Sequence, residues 1–201
     1  MKKDGVVYTV LFSFIVAFVF VFFLSLAYGA TKGKVAENKR LIMANAYLSA
    51  ADIPVPDPSK AEEIFKKAFP NFNASAPYNE TMVDGREIIV SPFQGNGLWG
   101  TITGVIGVTK DVDTMIGLSI VSQNETPGLG GRIDEKWYQD QFRGENIKNG
   151  IEISHGGGTG DTNPDNGEVD GITGASRTSS AMEVMLNNKI KILRKELGGE
   201  N

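Results

Sequence analysis

EIIVSPFQGNGLWGTITGVIGVTKDVDTMIGLSIV, residues 87–121, contains three runs rich in Val, Ile and Thr, at 87–91, 101–109 and 115–121, divided by Gly or Asp turns. β-Branched residues suit a pleated backbone, so the runs read as strands of an antiparallel sheet. Downstream, residues 175–197 carry Met182, Val184, Met185, Leu186, Ile190, Ile192 and Leu193 on helical faces, and Gly198 and Gly199 follow. That pattern predicts a long closing helix. Consecutive strands without intervening helices make this an α+β domain, not a repeat array or a doubly wound sheet.

Between these blocks, residues 135–142 predict a short helix capped by Asp134, and residues 151–154 a further strand. Upstream, residues 71–84 are polar and turn-rich, a loop with room for one edge strand. Residues 59–69 predict a short amphipathic helix with Ser59 as N-cap, Glu62 at the capping-box position and Pro70 beyond its end. Pro54, Pro56 and Pro58 interrupt the chain before it. From 34 to 51 there is neither Pro nor Gly, and Leu41, Ile42, Ala44, Ala46, Tyr47 and Leu48 form a partial helical stripe. The segment reads as a helical stalk.

Residues 5–31 carry no charge, although the whole chain of 201 residues is 22% charged. At about 1.5 Å per residue a helix of that length reaches roughly 40 Å, more than the roughly 30 Å bilayer core. Ala27 and Gly29 would suit a signal-peptide cleavage site. The apolar stretch is nevertheless longer than the roughly 7–15 residues of a signal core, so we read an uncleaved single-pass anchor. Lys2 and Lys3 precede it and Lys32, Lys34, Lys39 and Arg40 follow it, a count that does not itself favour an inside N-terminus. A short N-terminal tail is easiest to leave in the cytoplasm, which places the remainder outside the inner membrane. The divisions are then 1–31 (tail and anchor), 32–58 (stalk and linker) and 59–201 (soluble domain).

Composition narrows the chemistry. Without cysteine there is no disulfide framework, thiolate zinc site, thiolate-held iron–sulfur cluster, cysteine nucleophile or lipoprotein attachment site. His155 is the one histidine, so multi-histidine metal sites are excluded, and its setting before Gly156, Gly157 and Gly158 reads as a solvent-exposed loop. Asp161, Asp165 and Glu168 read as a solvated loop without EF-hand spacing. A net charge of −4 argues against a nucleic-acid partner. The apolar window holds no acid or base, so ion passage is not a property of this helix.

Three glycine-rich stretches remain. Gly95, Gly97 and Gly100 have dinucleotide-fingerprint spacing, but a strand follows them where that fingerprint needs a helix, so they read as a turn between strands with Trp99 in the core or at a pocket rim. Glu125, Thr126, Pro127, Gly128, Leu129, Gly130 and Gly131 follow a strand and allow close main-chain approach to a flat ligand, or form an ordinary surface turn. Asp170, Gly171, Ile172, Thr173, Gly174, Ala175, Ser176 and Arg177 open the closing helix. Thr173 is a natural N-cap. Ser176 lies near the first turn, where unpaired N–H groups favour an anion and Arg177 could add charge. Simple capping stays open as the alternative.

Taken together, the run 125–130 with Trp137 after it, and 170–176 opening the last helix, resembles the FMN-binding domain family. That domain is shared by the C subunit of the sodium-translocating NADH:quinone oxidoreductase and the G subunit of the Rnf complex. The resemblance covers 88–197, and Gly97, Leu98 and Trp99 favour the former. The alternatives are the Rnf protein, a free-standing extracytoplasmic FMN carrier, a module binding FMN without a covalent link, and a flavin-free structural subunit. The resemblance implies FMN joined through its phosphate to Ser176, where the family usually has threonine. Serine keeps the hydroxyl and lacks the methyl. It further implies a flavin transferase using FAD as donor and reading the 170–176 motif, with Asp170 and Gly171 serving modification. Thr173, Gly174, Ala175 and Arg177 would surround the phosphate, and Glu125, Thr126, Gly128, Leu129 and Gly130 would clasp the ring with Trp99 and Trp137 as walls. The expected role is a redox subunit of a multi-subunit ion-translocating oxidoreductase, without independent catalysis and with other membrane subunits as partners.

Overall fold

The computed structural model describes residues 5–155 and 160–198, in two compact units divided after Leu41. Lys2, Lys3, Gly156 to Gly158 and Gly199, on which the readings above touched, lie outside the described residues. Helix α1, Val6–Ala50, is long and apolar enough to cross a membrane.

The second unit is built on a sheet of β1 (Asn79–Val83), β2 (Arg86–Asn96), β3 (Thr101–Thr109) and β4 (Met115–Ser122), antiparallel in that order. β3 falls on its predicted span, β1 is the edge strand, and β2 runs past Ser91 to Asn96. Alternate residues of the central strands serve two cores. Ile89, Phe93, Ile102 and Ile106 pack into one, while Ile88, Val90 and Val105 pack into the other. Burial on both faces suits the short unalternated apolar stretches Ile88, Ile89, Val90 in β2 and Val105, Ile106 in β3.

The first core lies under α4 (Ser176–Glu196), the one-turn α3 (Lys136–Asp140) and a parallel pair, β5 (Glu152–Ser154) with β6 (Glu168–Asp170). In α4, Met182, Met185, Leu186, Ile190 and Leu193 are buried, while Val184 and Ile192 face out. Gly198, at φ +91°, follows its C-cap Leu197 in the left-handed conformation that favours glycine there. The second core lies under the end of α1 and α2 (Ala61–Ala68): Tyr47 is boxed edge-on by Phe65, Phe69 and Phe72, with ring centroids 5.1–6.0 Å away. Paired Gly107 and Gly117 seat the α1 end, since a Cβ on Gly107 would lie 1.9 Å from the Ala50 carbonyl oxygen. The 44–51 segment is therefore built into the core.

Three predicted caps are displaced. Asp57, not Ser59, starts the 59–69 region: its carboxylate accepts from both the N–H and the hydroxyl of Ser59, and a 3-10 turn at Pro58–Lys60 precedes α2. A 3-10 turn at Gly130–Asp134 shortens α3, whose N-cap is Glu135, and Asp134 instead accepts from the Gln123 amide. Thr173 does not cap α4; the N-cap is Ala175, which gives no side-chain hydrogen bond.

Glu145 is 1% exposed, and its Oε2 has no partner among the described residues. Burial first, then the negative charges of Asp161 and Asp165, push its carboxyl up to about 7 against the pull of the Gly167 N–H. An unfolded glutamate ionises near 4.3, so unfolding releases a proton between about pH 4.3 and 7. Stability attributable to this site therefore falls as pH rises through that window. Urea denaturation should find Glu145→Gln more stable than the parent at pH 8, by on the order of 1 kcal/mol, and about equal to it at pH 4.

Candidate functional site: three glycine turns on one carboxylate

The three glycine stretches meet at Glu125, which is 5% exposed. Its Oε1 accepts from the Trp99 N–H at 2.9 Å, and its Oε2 accepts from the Thr178 hydroxyl at 2.6 Å. One carboxylate thus links the 97–100 turn, its own loop and the first turn of α4. Burial works to raise its pKa, but the bonds from Thr178 and the N–H groups of Trp99, Leu98 and Gly100 hold it below the ordinary carboxylate range. Both oxygens are engaged within the protein, so Glu125 braces the convergence of the turns.

The glycines permit the convergence. A Cβ on Gly97 would lie 2.5 Å from Glu125 Oε1, and one on Gly130 would lie 2.5 Å from Thr178 Oγ1. Gly174, at φ +78°, places the 170–176 loop against Leu129, whose Cδ2 would be 3.2 Å from an added Cβ. Thr178 and Ser179 point inward, Ser179 Oγ accepting from the Ile172 N–H at 3.0 Å. Ser176 and Arg177 are exposed. The hydroxyl cluster is therefore divided by helical geometry into internal braces and an outward Ser176.

The surface beside that outward hydroxyl and on the neighbouring turns offers backbone donors and exposed apolar side chains. The first-turn N–H groups of α4 have no intrahelical acceptor and no cap from Ala175, leaving donors and the positive dipole end beside Ser176. Arg177 makes no ion pair among the described residues. Leu98 and Leu129 are each 43% exposed and Trp99 is 70% exposed, an apolar rim on the two turns that Glu125 joins to α4. Trp99 is thus at a rim, not in the core. Gly128 takes φ +76°, and the Thr126 carbonyl accepts from the N–H groups of Leu129 and Gly131, which shapes the loop.

Trp137 lies on the short α3. It packs partly against the core, with the Arg132 guanidinium 5.2 Å from its ring centroid and its indole N–H donating to Glu135, and it lines a separate groove with Gln141 and Gly160. Asp170 is turned inward: its carboxylate accepts from the Gly160 N–H at 3.0 Å and the Ser154 hydroxyl at 3.3 Å. Gln141, buried, accepts from the N–H groups of Asp170 and Asp161 and donates to the Asp170 carbonyl. Gly171 has no room for a side chain, because a Cβ would lie 2.5 Å from the Ser154 carbonyl oxygen. His155 is exposed and pairs with Ser180 at 3.3 Å. The bracing roles of Thr178 and Gln141 were not visible in sequence, since neither belongs to a recognisable spacing with its partner.

Residues 97–191 match the family model of the FMN-binding domain, a span containing all three turns and most of α4. The C subunit of the Na(+)-translocating NADH-quinone reductase of Vibrio vulnificus strain YJ016 is 33% identical over 128 residues, covering 61% of this chain and 49% of that protein. Its counterpart in Neisseria meningitidis strain Z2491 is 36% identical over 98 residues, covering 47% of this chain and 37% of that protein. The chain spans about half the length or less of these curated relatives. Among solved structures, the C subunit of the same reductase from Parabacteroides distasonis has a TM-score of 0.70 at 24% identity, covering 85% of this chain and 98% of that one. NqrC of Shewanella oneidensis has a TM-score of 0.62 at 19% identity, covering 82% and 100%. The fold is that of these two structures, and the resemblance to the FMN-binding domain family stands.

Proposed function

We propose that this chain is the membrane-anchored flavoprotein C subunit of an ion-translocating NADH:quinone oxidoreductase, relaying electrons through FMN joined by a phosphoester to Ser176. The observation that carries the reading is the exposed Ser176 hydroxyl at the uncapped start of α4, facing away from inward-turned Thr178 and Ser179. FMN there would supply one- and two-electron transfer. The chain's own contribution is placement: the first-turn N–H groups and Arg177 would hold the phosphate, and Leu98, Trp99 and Leu129 would cover the ring. Thr173, Gly174 and Ala175 shape the phosphate side, while Thr126, Gly128 and Gly130 set the loop path. Trp137 would supply a further wall.

Attachment would form one bond from Ser176 Oγ to phosphorus and break the pyrophosphate of the FAD donor, with AMP leaving and the hydroxyl proton passing to solvent or the transferase. Asp170 and Gly171 would serve that modification through the turn they maintain. In this reading α1 crosses the inner membrane once with the 59–201 domain outside the cytoplasm, and the other subunits of the redox complex are its partners. The test is intact mass under denaturing conditions after co-expression with a flavin transferase. One added FMN per chain is expected, and an unmodified mass with no bound chromophore contradicts the reading.

A further inference from the structure

Along α4, away from the 170–176 loop, runs an open groove of about 930 Å³. One wall is α4, with Val184 and Ile192 59% and 48% exposed; opposite lie the β2 segment 92–96, Thr103, Gly104 and Val121, and Met43 of α1 also lines the groove. β1 pairs only with β2 residues 86–90, so among the described residues no strand flanks 91–96 on that side. Lys189 lies in the groove, half-buried, and makes no ion pair among the described residues. Burial lowers its pKa, and the Glu196 carboxylate two turns along the helix only partly offsets this. An ammonium held among apolar walls fits an occupant that is apolar and brings a carboxylate. The groove also reaches the proposed flavin site, since Ser180 and Asn96 line it, one helical turn from Ser176 and next to the 97–100 turn.

Resting on the functional reading above, we propose that this groove is the docking surface for the neighbouring electron-carrying subunit. The partner element is an apolar segment whose carboxylate pairs with Lys189. Seated there, it lies alongside α4 and leads to Ser176, so contact and electron delivery use one surface. Val184 and Ile192 are its exposed apolar contacts, and neither belongs to the flavin site.

The test is made on the membrane complex purified through a tag on this chain. Val184→Asp with Ile192→Asp should reduce co-purification of the other subunits at least tenfold, with covalent flavin content and thermal midpoint unchanged. Zero-length carbodiimide coupling should join Lys189 to an Asp or Glu of another subunit, a link absent from Lys189→Met. Undiminished co-purification by the double variant overturns the proposal, as does a Lys189 link to a second copy of this chain or to lipid alone. If the wild-type chain co-purifies with no redox subunit, the functional reading fails and this proposal with it; wild-type assembly with an indifferent variant defeats the groove alone.

Discussion

Ser176→Ala should abolish covalent flavin, lowering in-gel fluorescence under denaturing conditions at least a hundredfold, while the thermal midpoint stays within about 2 °C of the parent. Ser176 is exposed and makes no side-chain hydrogen bond among the described residues, so an alanine there costs a hydroxyl and little else. The next hydroxyls along α4 are not placed to substitute. Thr178 is committed to Glu125, Ser179 accepts from Ile172 N–H, and Ser180 lies a full turn further along the helix beside His155. Ser176→Thr keeps a hydroxyl at the same place and should retain the flavin. Persistent fluorescence in the alanine variant would move the attachment elsewhere.

Glu125→Ala should have the largest effect on stability, on the order of 3–5 kcal/mol by urea denaturation at pH 7, because it leaves the buried Thr178 hydroxyl and the turn N–H groups without an acceptor. Loss of the brace separates the 97–100 turn from α4, so covalent flavin should fall as well. Thr178→Val removes one bond and should cost about 1–2 kcal/mol. The pH dependence follows from the depressed pKa of Glu125. Its contribution is present above the unfolded value near 4.3 and is lost as pH falls through the lower folded value. Glu125→Gln should therefore show a flatter acid limb than the parent between pH 5 and pH 2. Equal stability of Glu125→Ala and parent at pH 7 would show that Glu125 does not brace the site.

Much of this molecule was legible from local pattern. β3 falls on 101–109 because Gly100 and the Lys110–Asp113 turn punctuate a β-branched run, and α4 follows its apolar spacing. The seat of α1 was not legible, since it depends on Gly107 and Gly117 of two strands receiving the main chain of Ala50, a match between residues more than fifty positions apart. Caps failed where several capping residues compete within a few positions: Asp57 prevails over Ser59 by accepting two of its protons. At the site, the two glycine motifs and Ser176 stand out in the sequence, but the hydrogen bonds by which Glu125 joins the turns do not. Its partners Trp99 N–H and Thr178 lie 26 and 53 residues away, beyond any local spacing. Trp137, near the second motif in sequence, lines a groove with Gln141 and Gly160 that no local spacing announces.

Attachment at Ser176 is open to fragmentation mass spectrometry of the tryptic peptide 149–177 from protein co-expressed with a flavin transferase. The peptide contains Thr173 and Ser176 but not Thr178, Ser179 or Ser180. An FMN mass is expected on fragments that include Ser176 and an unmodified mass on those ending at Ala175. FMN on Thr173, on the following peptide that starts at Thr178, or on neither would contradict attachment at Ser176.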